Sequence, residues 1–205
     1  MDKVSYCLGM SIAQNLINSG VETLEFDDFL SGVKSVFSGE DPAVDVDEGN
    51  KVLHEFFEKK QKEEMIRQGL ENEKSKKEGK EYLKNHSKED GVQTTKSGLQ
   101  YKVITSVESG EPIETPTSHS RVKCHYEGRL IDGTVFDSSY KRGEPATFGL
   151  DQVIPGWTEG LQLMSVGEKY EFTIPSQLGY GERGIPGHIP GNSVLIFVVE
   201  LLGIE

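Results

Sequence analysis

Residues 152–175 read QVIPGWTEGLQLMSVGEKYEFTIP, and the spacing of apolar residues changes period partway along. Over 155–164, Trp157, Leu161 and Met164 fall three or four residues apart, on one side of a 3.6-residue helix. Pro155 stands near its first turn, where a missing N–H is not needed. Beyond Gly167, Tyr170, Phe172 and Ile174 alternate with Lys169, Glu171 and Thr173, which is the two-residue period of a strand with one buried face. A short helix followed by a half-buried strand predicts a sheet whose apolar face is covered by that helix.

The same alternation recurs on either side. Leu99, Tyr101 and Val103 are separated by Gln100 and Lys102, and Val122, Cys124 and Tyr126 by Lys123 and His125. The closing run VLIFVVELL (194–202) is apolar on both faces except at Glu200, as expected of a central strand. Asp132-Gly133 is a hairpin signal leading into Val135-Phe136-Asp137-Ser138-Ser139. The expected C-terminal unit, 91–205, is therefore an antiparallel sheet packed over one short helix.

The N-terminal half is different. Val4, Leu8, Ile12 and Leu16 form one helical stripe, and Phe26, Phe29, Leu30, Val33, Val36 and Phe37 form another, stopped by Gly39 and Asp41-Pro42. Two such helices cannot enclose a core by themselves, so 1–44 is expected to form a homodimer with a second copy of the chain. Asp45 and Glu48 resemble a capping box and should open a helix running to about Asn85. The segment 45–90 holds 13 acidic and 11 basic residues, many paired at i,i+4, and reads as a long, solvent-exposed connecting helix. Gly69 and Gly79 are the points where it should bend or fray. The whole chain is thus an α+β protein.

Composition excludes several functions. A net charge of -12 leaves no basic stripe for a phosphate backbone, so no nucleic-acid partner is expected. No stretch approaches the ~20 apolar residues of a membrane span. Cys7 and Cys124 form no disulfide framework, and a cytoplasmic location is expected, with the periplasm as the alternative if a leader has been removed. Cys124 and His125 point to opposite strand faces and cannot act together. His54, His86, His119 and His188 occur at no metal-ligand spacing, and no serine lies in a nucleophile setting, so neither a metal nor a cofactor is called for. The glycines of GYGERGIPGHIPG are spaced as in a long site-lining loop, not a phosphate loop. Asp137, taken alone, reads as a turn former or cap.

Together, HYEGRLIDGTVFDSS (125–139), QVIPGWTEGLQLMSVGEKYEFTIP (152–175), YGERG (180–184) and NSVLIFVVELL (192–202) resemble the FK506-binding-protein prolyl isomerases. The helical N-terminal half resembles the two-domain bacterial subgroup typified by the macrophage infectivity potentiator. The resemblance implies the FK506-binding-protein fold, and an apolar pocket walled by Tyr126, Phe136, Phe148, Val153, Ile154, Trp157, Tyr180, Ile189 and Phe197, with Trp157 as its floor. It further implies Asp137 as the polar group near the amide, paired with Arg142, and Gln152 at the rim. The Tyr180 hydroxyl and the Ile154 N–H become the groups that hold a carbonyl. Expected catalytic contributors are then Asp137, Tyr180, Ile154 and Tyr126. Implied ligands are proline-containing unfolded or partly folded polypeptides and macrolides of the FK506 and rapamycin type. Ala146 and Ile185 stand where relatives carry a large aromatic and a His, and Pro190-Gly191 replaces a frequent Pro-Pro. Two other readings compete: a dimeric chaperone or peptide-binding module in which isomerisation is incidental, and a scaffold that has lost catalysis.

Overall fold

The computed structural model describes residues 1–107 and 114–205. These divide into two compact bodies, Met1–Ile66 and Arg67–Glu205.

The first body holds α1 (Lys3–Asn18), α2 (Phe26–Ser38) and the beginning of α3 (Val46–His86). Local chemistry sets these boundaries. Asp2 caps α1 by accepting from the Ser5 N–H at 2.7 Å. Gly39 closes α2 in the left-handed region, at φ 69°. Asp45 accepts from the Glu48 N–H at 2.9 Å, which is half of the expected capping box. No residue of α1 or α2 is buried. Leu8 is 59% exposed and Phe37 89% exposed, so much of both apolar stripes is uncovered in the single chain, although Leu16, Phe29 and Val33 are half-buried.

The second body is a seven-stranded antiparallel sheet. Its strands are β1 (Val92–Thr94), β2 (Gln100–Thr105), β3 (Arg121–Leu130), β4 (Val135–Ser138), β5 (Ala146–Gly149), β6 (Lys169–Ile174) and β7 (Leu195–Ile204). The order is β1-β2-β6-β7-β3-β4, with β5 also pairing to β3. β7 is central, as its two-sided apolarity predicts, with Phe197 opposite Phe172 on β6 and opposite Gly128 on β3. The Asp132-Gly133 hairpin joins β3 to β4, with Gly133 at φ 89° and its N–H donating to the Leu130 carbonyl at 3.0 Å. Two short helices complete the body, α4 (Ser139–Arg142) and α5 (Pro155–Leu161). α5 lies on the apolar face, and Trp157, Leu161 and Met164 join Leu99, Val122, Phe172, Ile174 and Val199 in the core. Gly156 and Gly160 permit this close approach, since a Cβ would meet Ile174 at 2.5 Å and Phe172 at 2.7 Å.

Two expectations need correction. α3 is not solvent-exposed throughout, because Gly79 and His86 are buried. Its last turns cover the other face of the sheet. Gln100 Nε2 donates to the Leu83 carbonyl at 2.9 Å, and Gln100 Oε1 lies 2.8 Å from His86 Nδ1. Gln100, expected on a solvated face, is consequently 5% exposed, whereas apolar Val103 is 36% exposed. Nor does the helix fray at Gly69 or Gly79, since it is continuous from Val46 to His86. The compact bodies divide inside α3, whereas charge placed the segment boundaries at 44/45 and 90/91. Charge density does not register that docking.

Candidate active site

Five elements and two loops converge at one end of the apolar core. β3 supplies Tyr126, β4 supplies Phe136 and Asp137, and β5 supplies Phe148. The segment after β5 brings Gln152, Val153 and Ile154, α5 brings Trp157, and β7 brings Phe197. The loop after the 3-10 turn Ser176–Leu178 contributes Tyr180 and Ile189. All eleven pocket residues named from the sequence line one cavity of about 480 Å³, within the range of small-ligand sites.

Four of the ring contacts are nearly perpendicular. Trp157 meets Tyr126 at 5.2 Å and 88°, Phe197 at 5.2 Å and 84°, and Phe148 at 5.4 Å and 79°. Phe136 meets Phe197 at 5.5 Å and 82°. Such edge-to-face packing directs positive ring edges at negative ring faces, so the rings brace one another. Trp157 is 4% exposed, and its Nε1 is a buried donor with no partner among the described residues.

Polar groups sit at one side. Tyr126 donates to Asp137 Oδ2 at 2.5 Å, and Arg142 Nη2 donates to the Tyr126 oxygen at 2.8 Å. Arg142 also pairs with Asp137 Oδ1. α4 makes this triangle possible: Ser138 caps it, accepting from the Lys141 N–H at 3.3 Å, and Gly143 ends it in the left-handed region. One short turn thereby returns Arg142 to the carboxylate five residues earlier. Burial raises the Asp137 pKa, but the hydrogen bonds from Tyr126 and Arg142 and the Arg142 charge outweigh it, leaving the carboxyl below its ordinary value. Burial, reinforced by the bond to Asp137, pushes the Tyr126 phenol up to about 12. Burial and the Asp137 charge raise Tyr180 as well. Near neutrality the site therefore presents a carboxylate, a guanidinium and two neutral phenols. The Ile154 N–H and the Tyr180 hydroxyl have no partner among the described residues.

Ile185 and His188 also line the cavity and were absent from the expected set. Their signal was present in the Gly/Pro-rich loop that carries Tyr180 and Ile189, but loop sequence does not disclose which side chains turn inward. Cys124 lies in the core, where burial pushes its thiol up to about 12, while His125 faces away, 2.9 Å from Ser139 Oγ and stacked on Tyr140. The pair is thus unsuited to nucleophilic chemistry.

An antiparallel sheet over one short helix, enclosing an aromatic cup whose described lining includes no serine, cysteine or lysine, points to a class: the prolyl isomerases that work without covalent chemistry. Residues 113–202 match the family model for FKBP-type peptidyl-prolyl cis-trans isomerase, and residues 1–103 match the domain amino terminal to FKBP-type peptidyl-prolyl isomerase. The chain is 45% identical to the FKBP-type 22 kDa peptidyl-prolyl cis-trans isomerase of Escherichia coli K12, covering 98% of this chain and 94% of that relative. It is 37% identical to the outer membrane protein MIP of Legionella longbeachae, covering 100% of this chain and 85% of that protein. The crystal structure of FkpA from Escherichia coli superposes with a TM-score of 0.70 at 38% identity, covering 99% of this chain and 95% of that one. The chain belongs to the FKBP-type peptidyl-prolyl cis-trans isomerases, in the two-domain bacterial subgroup, and is a peptidyl-prolyl cis-trans isomerase. The cytoplasmic location expected from the sequence gains no support from these comparisons, one relative being named an outer membrane protein. No helix among the described residues is long and apolar enough to cross a membrane.

Proposed function

We propose that the cavity around Trp157 accelerates X-Pro isomerisation by binding the twisted amide in preference to the planar one. Resonance sets a rotational barrier of ~18–20 kcal/mol, and rotation removes that resonance, leaving a less polar carbonyl and a pyramidal nitrogen. A poorly hydrated aromatic cup favours this species over the solvated planar form, and each ~1.4 kcal/mol of preference is worth tenfold in rate. Trp157 and Phe197 hold the pyrrolidine ring, and the free Ile154 N–H or Tyr180 hydroxyl orients a carbonyl. Asp137, kept ionised by Tyr126 and Arg142, acts electrostatically and is not a general base. Phe136, Phe148, Val153 and Ile189 wall the site, and Gln152 forms its rim.

The observation that carries the reading is the ring of Tyr126, Phe136, Phe148, Trp157 and Phe197 around a cavity large enough for a proline and its neighbours. NMR exchange on a short proline peptide tests it. Saturable acceleration that a macrolide of the FK506 type abolishes is expected. Acceleration indifferent to the macrolide would move catalysis elsewhere.

A chaperone role accompanies catalysis in this reading, with unfolded or partly folded proline-containing polypeptides as substrates. Residues 1–44 act as a homodimerisation domain and 45–90 as a connecting helix to the isomerase domain, 91–205. The exposed apolar faces of α1 and α2 support this, since they lack cover within one chain. Light scattering should give a mass about twice 22.7 kDa, and a monomeric mass would rule the dimer out. The rival reading, a chaperone with incidental isomerisation, rests on the same faces. It predicts that Asp137→Ala leaves the refolding of a proline-limited protein unchanged while slowing turnover of short peptides.

A further inference from the structure

The pocket's outer wall is a loop, Tyr180–Asn192, that carries Tyr180, Ile185, His188 and Ile189. It folds back on itself. Ile185 and Ile189 exchange two backbone hydrogen bonds, each of 2.8 Å, and the Asn192 N–H closes the base on the Gly181 carbonyl at 2.8 Å. Nothing in that internal bonding determines how the loop stands over the cavity.

A side chain from α3 supplies a tie. Asn72 Oδ1 accepts from the Gly191 N–H at 2.7 Å, and the Asn72 carbonyl accepts from the Asn192 side-chain amide at 3.5 Å. Gly191 is buried, so its N–H has little recourse to water. The fit is close: a Cβ on Gly191 would lie 1.9 Å from the Glu182 carbonyl oxygen and 2.8 Å from the Asn72 side chain. One residue beyond Gly191 in one direction is Pro190, and the next is Ile189, which is 4% exposed and lines the cavity. Displacement of Gly191 is therefore transmitted over two residues to the pocket wall.

We infer that Asn72 is a positioning residue for prolyl isomerisation, holding the Tyr180–Asn192 loop against the pocket through Gly191. The inference rests on the pocket reading given above. Asn72 touches no substrate. It raises the fraction of molecules whose wall is closed, which tightens apparent binding in proportion to that fraction.

The test uses the full chain with Asn72→Ala, Asn72→Asp and Asp137→Ala. Asn72→Ala should raise KM about fivefold while changing kcat by less than about twofold. Amide exchange should quicken over 180–191 and stay unchanged in β3, β6 and β7. Asn72→Asp keeps an acceptor oxygen at the same reach and should restore KM. Wild-type KM in Asn72→Ala would overturn the inference, as would failure of the Asp variant to rescue, or faster exchange throughout the sheet. Impaired Asp137→Ala beside unimpaired Asn72→Ala would overturn it alone. Wild-type acceleration that a macrolide of the FK506 type leaves untouched would bring down the pocket reading, and the inference with it. Wild-type kinetics in Asp137→Ala with Asn72→Ala impaired would leave the inference standing and remove only the Asp137 contribution.

Discussion

Gly128 on β3 lies directly opposite Phe197 on β7, and a Cβ at Gly128 would sit 2.6 Å from the Phe197 ring and 2.7 Å from the Phe136 ring. The bare backbone at this position is what lets the two rings meet edge to face and close one side of the cup. The Phe197 ring cannot retreat freely, because it is also packed on Trp157.

Gly128→Ala should therefore damage site and stability together. Overpacking of this kind costs about 1–3 kcal/mol, and rings forced apart should lower kcat/KM by about tenfold or more. Thermal unfolding and a peptide isomerisation assay measure the two effects. An unchanged kcat/KM would mean that the Phe136–Phe197 contact does not shape the site.

Asp137→Ala should reduce kcat/KM about three- to tenfold, with the fold intact. The substitution removes the carboxylate that Tyr126 and Arg142 bond, but leaves the aromatic rings in place. Complete loss in a folded variant would mean that Asp137 performs an obligatory step. Near-ultraviolet circular dichroism separates that outcome from unfolding.

The pH profile follows from the same triangle. Asp137 has a folded pKa below its ordinary 3.8, so its contribution is complete above that value and disappears as pH falls through the lowered one. Tyr126, raised to about 12 from 10.0, contributes fully below 10.0 and fails as pH rises through about 12. Activity limited by these two groups should be level from about pH 5 to 9. A limb inside that window, in kcat/KM measured against pH, would assign control to another group.

Gly69 and Gly79 should respond oppositely to alanine. At Gly69 no described atom lies within 4 Å of where the new methyl would stand, so Gly69→Ala should stabilise the helix by about 1 kcal/mol. At Gly79 the methyl would stand 2.9 Å from Val194 Cγ2, and the helical gain is offset by about 1–3 kcal/mol of overpacking. Thermal melts of the two variants decide the matter. Equal stabilisation by both would show that α3 does not dock at Val194.

Much of the fold was legible in the sequence because burial on one face imposes a period on neighbouring residues. The stripes at Val122, Cys124 and Tyr126, at Tyr170, Phe172 and Ile174, and at Trp157 and Leu161 gave strands and a helix their inward faces. The pocket residues could be named because their local motifs resemble those of a known family, not because their spacing shows that they meet. Period says which side of an element is buried, but not what buries it.

That second question was answered only in three dimensions. Gln100 lies on a polar stripe, yet is buried because Leu83 and His86, far away in sequence, supply its hydrogen bonds. Ile185 and His188 face the cavity because their loop folds back through the Ile185–Ile189 pairing. Gly79 and Gly69 look alike in sequence and differ in whether Val194 and the Asn192 carbonyl stand nearby. Local pattern and motif were enough to assign β3, β6, β7, α5 and the family, but not β1, β5 or α4, nor the burial of the polar face of β2. Which distant groups those faces meet was settled by the folded chain, because contact free energies depend on atoms that come together only on folding.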